Sequence, residues 1–95
     1  MAGFEILRVE WSAVTGAPVA SLLGEVDMEA VETVIGLIRT AELAPKLIVD
    51  LSGVTFIDVS GLHLVRTLAA FPNIAVQNPS PPIVRLLEAL DIDEL

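Results

Sequence analysis

The stretch KLIVDLSGVTFIDVSGLHLVRTLAAF, residues 46–71, predicts a buried strand, a short loop and then a helix. The strand is predicted over Lys46–Leu51, where the residues after Lys46 are apolar except for Asp50, as expected of a central strand covered on both faces. Gly53 is predicted to end this strand. The buried face of the helix is marked by apolar residues at helical spacing: Leu62, Val65, Leu68 and Ala69.

The start of this helix is the predicted functional region. Its first turn contains Asp58, Val59, Ser60 and Gly61, with Ser60 as the predicted N-cap. Gly61 is predicted to leave the first-turn amides unshielded. A helix N-terminus that follows a buried strand is where α/β folds present function. The side opposite the apolar face carries His63, Arg66, Thr67 and Ala70.

The residues before this stretch predict a hairpin and one helix. Phe4–Trp11 alternates between apolar and polar residues and predicts a strand, a turn follows at residues 15–17, and Val19–Leu23 predicts a second strand. Residues 24–27 are predicted to break it. Asp27 is the predicted N-cap of a helix that stops before Pro45, and its inward residues are Val31, Val34, Ile35 and Ile38.

The residues after this stretch predict one more strand and one more helix. Ile74–Gln77 is a short apolar strand. Ser80 is a predicted N-cap with Pro81 at the first helical position. The inward residues of this helix are Ile83, Leu86, Leu87 and Leu90, and the acidic end of the chain is predicted to fray. The order ββαβαβα predicts one α/β domain over residues 1–95, with a four-stranded mixed sheet and helices packed on it.

Composition narrows the class of partner. The chain of 95 residues carries a net charge of −8, from 13 acidic and 5 basic residues. This balance argues against nucleic acid and anionic membranes, and it suits a basic protein partner. Cysteine is absent, which excludes disulfides and zinc–thiolate sites, and the single His63 has no ligand cluster around it in the sequence. No signal peptide or membrane-spanning run is evident, so we expect a cytoplasmic protein without cofactor or metal.

Three segments together resemble a known family. They are GEVD at 24–27, LIVDLSGVTFIDVSGL at 47–62, and the end of the chain from NPSPP at 78–82 to LLEALDIDEL at 86–95. These residues are similar to the STAS domain, and more narrowly to the anti-sigma factor antagonists. The resemblance implies a small α/β domain that is not an enzyme. It also implies a role in transcription regulation and a protein partner, an anti-sigma factor that is a serine kinase and phosphorylates the antagonist at the start of the second helix.

The chain departs from this family at the phosphorylated position. The family motif is Asp-Ser-Ser/Thr-Gly, with the phosphoacceptor directly after the Asp, and here that position is Val59. Ser60 is a possible substitute acceptor, although the N-cap role explains it without phosphorylation. The resemblance places the partner-binding residues on one side of the fold: Asp27, Asp58, Val59, Ser60, Gly61, His63 and Arg66.

Other functions remain open from the sequence. The chain could instead be a STAS subunit or accessory domain of a membrane transporter, and the missing phosphoacceptor favours this alternative. A module that senses a small nucleotide or lipid would need a pocket under the Asp58 loop. Catalysis by paired carboxylates lacks a nucleophile, a second base and a metal ligand set.

Overall fold

The computed structural model describes residues 7–95, in which four strands and three helices follow the predicted order. The elements are β1 (Arg8–Val14), β2 (Ala17–Val26), a 3₁₀ turn (Met28–Ala30), α1 (Val31–Glu42), β3 (Leu47–Ile57), α2 (Val59–Ala69), β4 (Ile74–Gln77) and α3 (Pro81–Ala89). The order ββαβαβα is therefore confirmed. Part of the predicted first strand, residues 4–6, lies outside the described residues.

One mixed sheet runs through the domain in the order β1-β2-β3-β4. β1 and β2 are antiparallel, whereas β2 with β3 and β3 with β4 are parallel. The predicted turn joins β1 to β2 through Thr15 and Gly16, which both have positive φ (52° and 83°). Because a two-residue turn with this backbone matches the twist of the strands, it holds Val14 opposite Ala17.

All three helices pack on the same face of the sheet. Along β3, Leu47, Val49 and Leu51 are buried, while the alternate residues between them are partly or fully exposed. The buried residues join those of all three helices in one core. The smallest dimension of the domain is 20 Å, which corresponds to one sheet layer and one helix layer. The prediction that β3 is covered on both faces was therefore wrong.

The two predicted strand ends at glycine were also wrong. β3 continues through Gly53 to Ile57, and β2 continues through Gly24 to Val26. The β2–β3 pairing shifts register between Ser21 and Leu23 and again after Gly24, whose φ is 113°. A Cβ at Gly53 would lie 2.9 Å from the Leu22 carbonyl oxygen, so glycine serves the close approach of the two strands.

The buried faces of the helices agree only in part with the predicted ones. In α1 the inward stripe is Val34, Leu37 and Ala41, continuing from Ala30, and Val31 and Ile35 are exposed instead. In α2 the predicted Leu62, Val65 and Leu68 are buried and Ala69 is half-buried. In α3 Ile83 and Leu87 are buried, Leu86 is half-buried and Leu90 is exposed.

Asn73 links the end of α1 to the start of β3. Its side-chain Nδ2 donates to the carbonyl oxygen of Ala41 at 2.6 Å and lies 3.4 Å from that of Ala44. Its own carbonyl oxygen accepts from the Leu47 amide at 2.8 Å. The side chain therefore satisfies carbonyl groups that the end of α1 leaves without a helical partner.

The start of α3 has the predicted residues but not the predicted bond, and its end differs from the prediction. Ser80 is the N-cap residue and Pro81 the first residue of the helix, as predicted, but the Ser80 hydroxyl makes no capping bond and is buried with no partner among the described residues. At the other end Asp91 has a φ of 57°, its amide donates to the Glu88 carbonyl, and the Ile92 amide donates to the Leu87 carbonyl. These two bonds form a Schellman motif. The last residues do not fray here, because Ile92 and Leu95 pack against the core.

Candidate functional site

Two adjacent parallel strands, β2 and β3, end side by side, and predicted site residues follow them at one edge of the sheet. Val26, at the end of β2, pairs with Ile57, at the end of β3. The Asp58 amide also lies within hydrogen-bonding distance of the Val26 carbonyl oxygen, at 3.4 Å. Asp27 and Asp58 are the next residues of the two strands, so both follow carboxyl ends of the sheet, where α/β folds place ligands and partners.

Each of these two carboxylates caps the helical segment that follows it. Asp58 Oδ1 accepts from the Gly61 amide at 2.8 Å, and Asp27 Oδ1 accepts from the Glu29 amide at 2.9 Å. The Asp27 cap was predicted. The prediction that Ser60 is the N-cap of α2 was wrong. The backbone is extended at Asp58, so Asp58 is the N-cap and Ser60 is the second residue of the helix. The expectation of unshielded first-turn amides was also wrong at Gly61, whose amide Asp58 binds.

Gly61 sets how closely α2 approaches the sheet. The residue is buried, and a Cβ built on it would overlap the carbonyl oxygen of Val26 and lie 3.1 Å from the Ile57 side chain. Only glycine lets the first turn of α2 lie against the end of β2 at this separation. Gly61 therefore positions the site and does not form part of its surface.

An open, largely apolar depression lies where α2 and the start of α1 meet the solvent. It has a volume of about 390 Å³ and is lined by Met28, Val31, Val59, Ser60, His63 and Leu64. We call it the α2 depression. The exposed fraction is 69% for Met28, 61% for Val59 and 40% for Val31. Soluble domains seldom expose several large apolar side chains together, so this patch is the candidate interaction surface of the described residues.

The structure brings some of the predicted partner-binding residues together and leaves others apart. Val59, Ser60 and His63 line the α2 depression. Asp27 and Asp58 are half-buried caps that directly precede the lining residues Met28 and Val59, and Gly61 is buried in the first turn of α2. Arg66 is exposed one helical turn beyond His63 and does not line the depression.

Sequence reasoning missed Met28, Val31 and Leu64. Val31 was assigned to the core because two apolar stripes on α1 have helical spacing. Met28 could have indicated this surface from the sequence. It is an apolar residue directly after the predicted cap Asp27, and it does not belong to the predicted buried face of the helix.

A second cavity lies away from the predicted site. It has a volume of about 540 Å³ and lies between β4, α3 and the C-terminal residues, and none of the predicted site residues line it. Within residues 7–95, no group of three or more His, Cys, Asp or Glu side chains is arranged to hold a metal ion. None of the helices in this range is both long and apolar enough to cross a membrane.

A two-layer α/β domain with an exposed helix start at the carboxyl edge of its sheet is the architecture of a STAS domain. The family model for the STAS domain matches residues 9–95, and the chain belongs to this family.

Solved structures of anti-sigma factor antagonists are similar to it over most of their length. One is the anti-sigma factor antagonist SpoIIAA in its unphosphorylated form, with 28% sequence identity and a TM-score of 0.60, covering 90% of this chain and 82% of that chain. Another is an anti-sigma factor antagonist from Mycobacterium paratuberculosis, with 25% identity and a TM-score of 0.60, covering 95% of this chain and 88% of that one. Comparison with curated proteins gives no match.

Proposed function

We propose that this STAS domain is a non-catalytic interaction module of the anti-sigma factor antagonist type. It docks on an anti-sigma factor with serine kinase activity and so releases a sigma factor for transcription. Because that partner uses ATP, the proposal includes a cytoplasmic location. The docking surface is the α2 depression, together with Asp27 and Asp58, which precede its lining residues Met28 and Val59, and Arg66, one turn beyond His63.

The observation that carries this proposal is the exposed apolar cluster at the start of α2. Met28 and Val59 each leave more than half of their surface in solvent. In a chain of this size such residues are more stable in the core, and their exposure is explained if a partner covers them. The similarity to two anti-sigma factor antagonists supports the class of partner that we propose.

Val59 makes this antagonist insensitive to phosphorylation at the usual position. Val59 lies directly after the capping Asp58, where the family places its phosphoacceptor, and valine has no hydroxyl. In our proposal the complex is therefore not switched off by its kinase at this residue. Ser60 is the adjacent hydroxyl and is exposed, so it is the position at which the proposal must be tested.

The binding test measures the affinity of the full chain for an anti-sigma factor kinase from the same genome by titration calorimetry. Met28→Ser should weaken binding by about tenfold, since it removes most of a buried apolar side chain from the interface. Val14→Ser is the matched control, because Val14 is similarly exposed, at 56%, but lies on β1. Equal affinities for both variants and the original chain would refute the docking surface, and no measurable binding would refute the class of partner.

The phosphorylation test uses intact mass after incubation with the same kinase and ATP. The original chain should gain no phosphoryl group, whereas Val59→Ser should gain one, because the new hydroxyl occupies the acceptor position. Ser60→Ala shows whether any phosphoryl group on the original chain is carried by Ser60. Full phosphorylation of the original chain that disappears in Ser60→Ala would show a working switch one residue further along.

The transporter hypothesis predicts a different partner for the same surface, and affinity capture tests it. If affinity capture with the full chain returns a transporter subunit whose purified cytoplasmic domain binds with Met28-dependent affinity, the surface stands and the class of partner changes.

A further inference from the structure

The α2 depression offers a partner apolar surface with few polar groups. Four of its six lining residues, Met28, Val31, Val59 and Leu64, are apolar. Ile35 lies one turn beyond Val31 on the same side of α1 and is 38% exposed, so the apolar surface continues along this helix. A partner group that enters the depression must itself be apolar, because a buried polar group without a hydrogen bond is costly.

The border of the depression is acidic on the α1 side. Residues 25–32 contain four acidic residues and no basic one: Glu25, Asp27, Glu29 and Glu32. Glu29 and Glu32 flank Met28 and Val31 in the sequence and are exposed. The ion pair found in residues 7–95 joins Arg8 and Glu10 on β1, so neither of these glutamates is neutralised by a neighbouring cation in that range.

We infer that the group that enters the α2 depression is an apolar side chain of another protein, bordered by lysine or arginine residues that face Glu29 and Glu32. The inference rests on the proposed docking surface and adds the chemistry of the partner. The apolar contact supplies most of the affinity, and the acidic border raises the association rate and rejects acidic partners. Val59 belongs to the apolar contact, so a hydroxyl there weakens binding even without phosphorylation.

The test uses three synthetic peptides of equal length and records amide and methyl NMR spectra of the full isotope-labelled chain. The first peptide contains lysine and leucine, the second glutamate and leucine, and the third lysine and serine. We expect saturable shifts only with the first peptide, centred on the methyl groups of Met28, Val31, Val59 and Leu64. Val59→Ser should weaken its affinity by about fivefold, and Glu29→Gln by about twofold.

Two control variants separate this surface from general attraction to an acidic protein. Val14→Ser and Glu42→Gln change exposed residues of the same types away from the depression, and both should leave the affinity unchanged. Equal shifts with the lysine–serine peptide would show charge attraction alone and overturn the inference. Equal binding of the glutamate–leucine peptide, or shifts centred on the cavity beside α3, would also overturn it.

Because the probe is a peptide, the result does not depend on the identity of the natural partner. If the lysine–leucine peptide binds as expected and the anti-sigma factor kinase does not, the chemistry of the surface stands and the proposed function fails. If the kinase binds but Val59→Ser and Glu29→Gln leave its affinity unchanged, the proposed function stands and this inference fails.

Discussion

The same substitution at two glycines should change stability in opposite directions. Gly36 lies in the exposed middle of α1, and a Cβ built there meets no atom within 4 Å. Gly36→Ala should raise the free energy of unfolding by about 1 kcal/mol, because alanine loses less backbone entropy in a helix. At Gly61 the new Cβ would overlap the backbone carbonyl of Val26, and a backbone group cannot move aside as a flexible side chain does.

The loss of stability expected for Gly61→Ala has two parts, the tighter packing against β2 and the disturbed helix cap. Forcing an extra carbon into a packed contact costs about 1–3 kcal/mol. Moving the first turn of α2 also disturbs the Asp58–Gly61 cap, which contributes about 1 kcal/mol. The gain in helix propensity, about 1 kcal/mol, offsets the loss of the cap, so Gly61→Ala should lower the free energy of unfolding by about 2 kcal/mol, the middle of the packing cost.

Urea unfolding followed by circular dichroism measures both effects. With a slope of about 1 kcal/mol per molar urea, the midpoint should rise by about 1 M for Gly36→Ala and fall by about 2 M for Gly61→Ala. A Gly61→Ala midpoint at or above that of the original chain would refute the close contact between α2 and β2. A fall for Gly36→Ala would show that α1 is not exposed at this residue.

Three further predictions concern polar groups at the ends of helices, and each is measured by the same urea unfolding. Ser80→Ala should leave the free energy of unfolding unchanged or raise it by up to about 1 kcal/mol, because the buried hydroxyl has no partner; a loss of about 1 kcal/mol would restore its predicted role as a cap. Asp91→Gly should raise it by about 0.5–1 kcal/mol, since glycine adopts the positive φ of this position without strain, and a decrease would argue against the Schellman motif. Asn73→Ala should lower it by about 2 kcal/mol, because the Ala41 carbonyl oxygen loses its side-chain donor inside the protein; a change below about 0.5 kcal/mol would mean that water replaces the amide.

The order of elements was predictable from local patterns, whereas the length of the strands was not. Gly53 reads as a strand end because glycine lowers strand stability in general. In the structure it is the residue that allows β3 to approach the Leu22 carbonyl closely, and this need comes from the neighbouring strand. A contact between strands that are far apart in sequence leaves no local signal.

The rotation of α1 could not be predicted for a related reason. Residues 31, 34, 35 and 38 and residues 30, 34, 37 and 41 are both apolar stripes with helical spacing. The core takes the second stripe. Periodicity favours both stripes equally, and only the packing of α1 against the sheet and α2 decides which stripe is buried. This choice is what exposes Val31 at the α2 depression.

The N-terminus of α2 was located correctly as a region but not in detail. Asp58 and Ser60 are both good N-cap residues, and a helix that starts at either one fits the sequence. The structure selects Asp58, so the side chain expected to cap is exposed and the carboxylate expected at the surface is half-buried. The apolar character of the site depended on Met28 and Val31, whose exposure follows from tertiary packing.

The strand order β1-β2-β3-β4 has a consequence for how the domain reaches its native state. Each strand pairs with the one before it in the chain, but the pairs differ in how far apart their residues are. β1 and β2 are joined by a tight turn, whereas a whole helix lies between the partners of each parallel pair, such as Val19 and Ile48. Closing these longer loops costs more chain entropy, and such non-local pairing slows folding. The residues of the proposed docking surface lie between Asp27 and Arg66, and β2 and β3 are both synthesised before β4 and α3. Until β4 pairs with it, β3 has an unpaired edge that another chain can occupy, so the pairing of β4 is the step of folding at which aggregation competes.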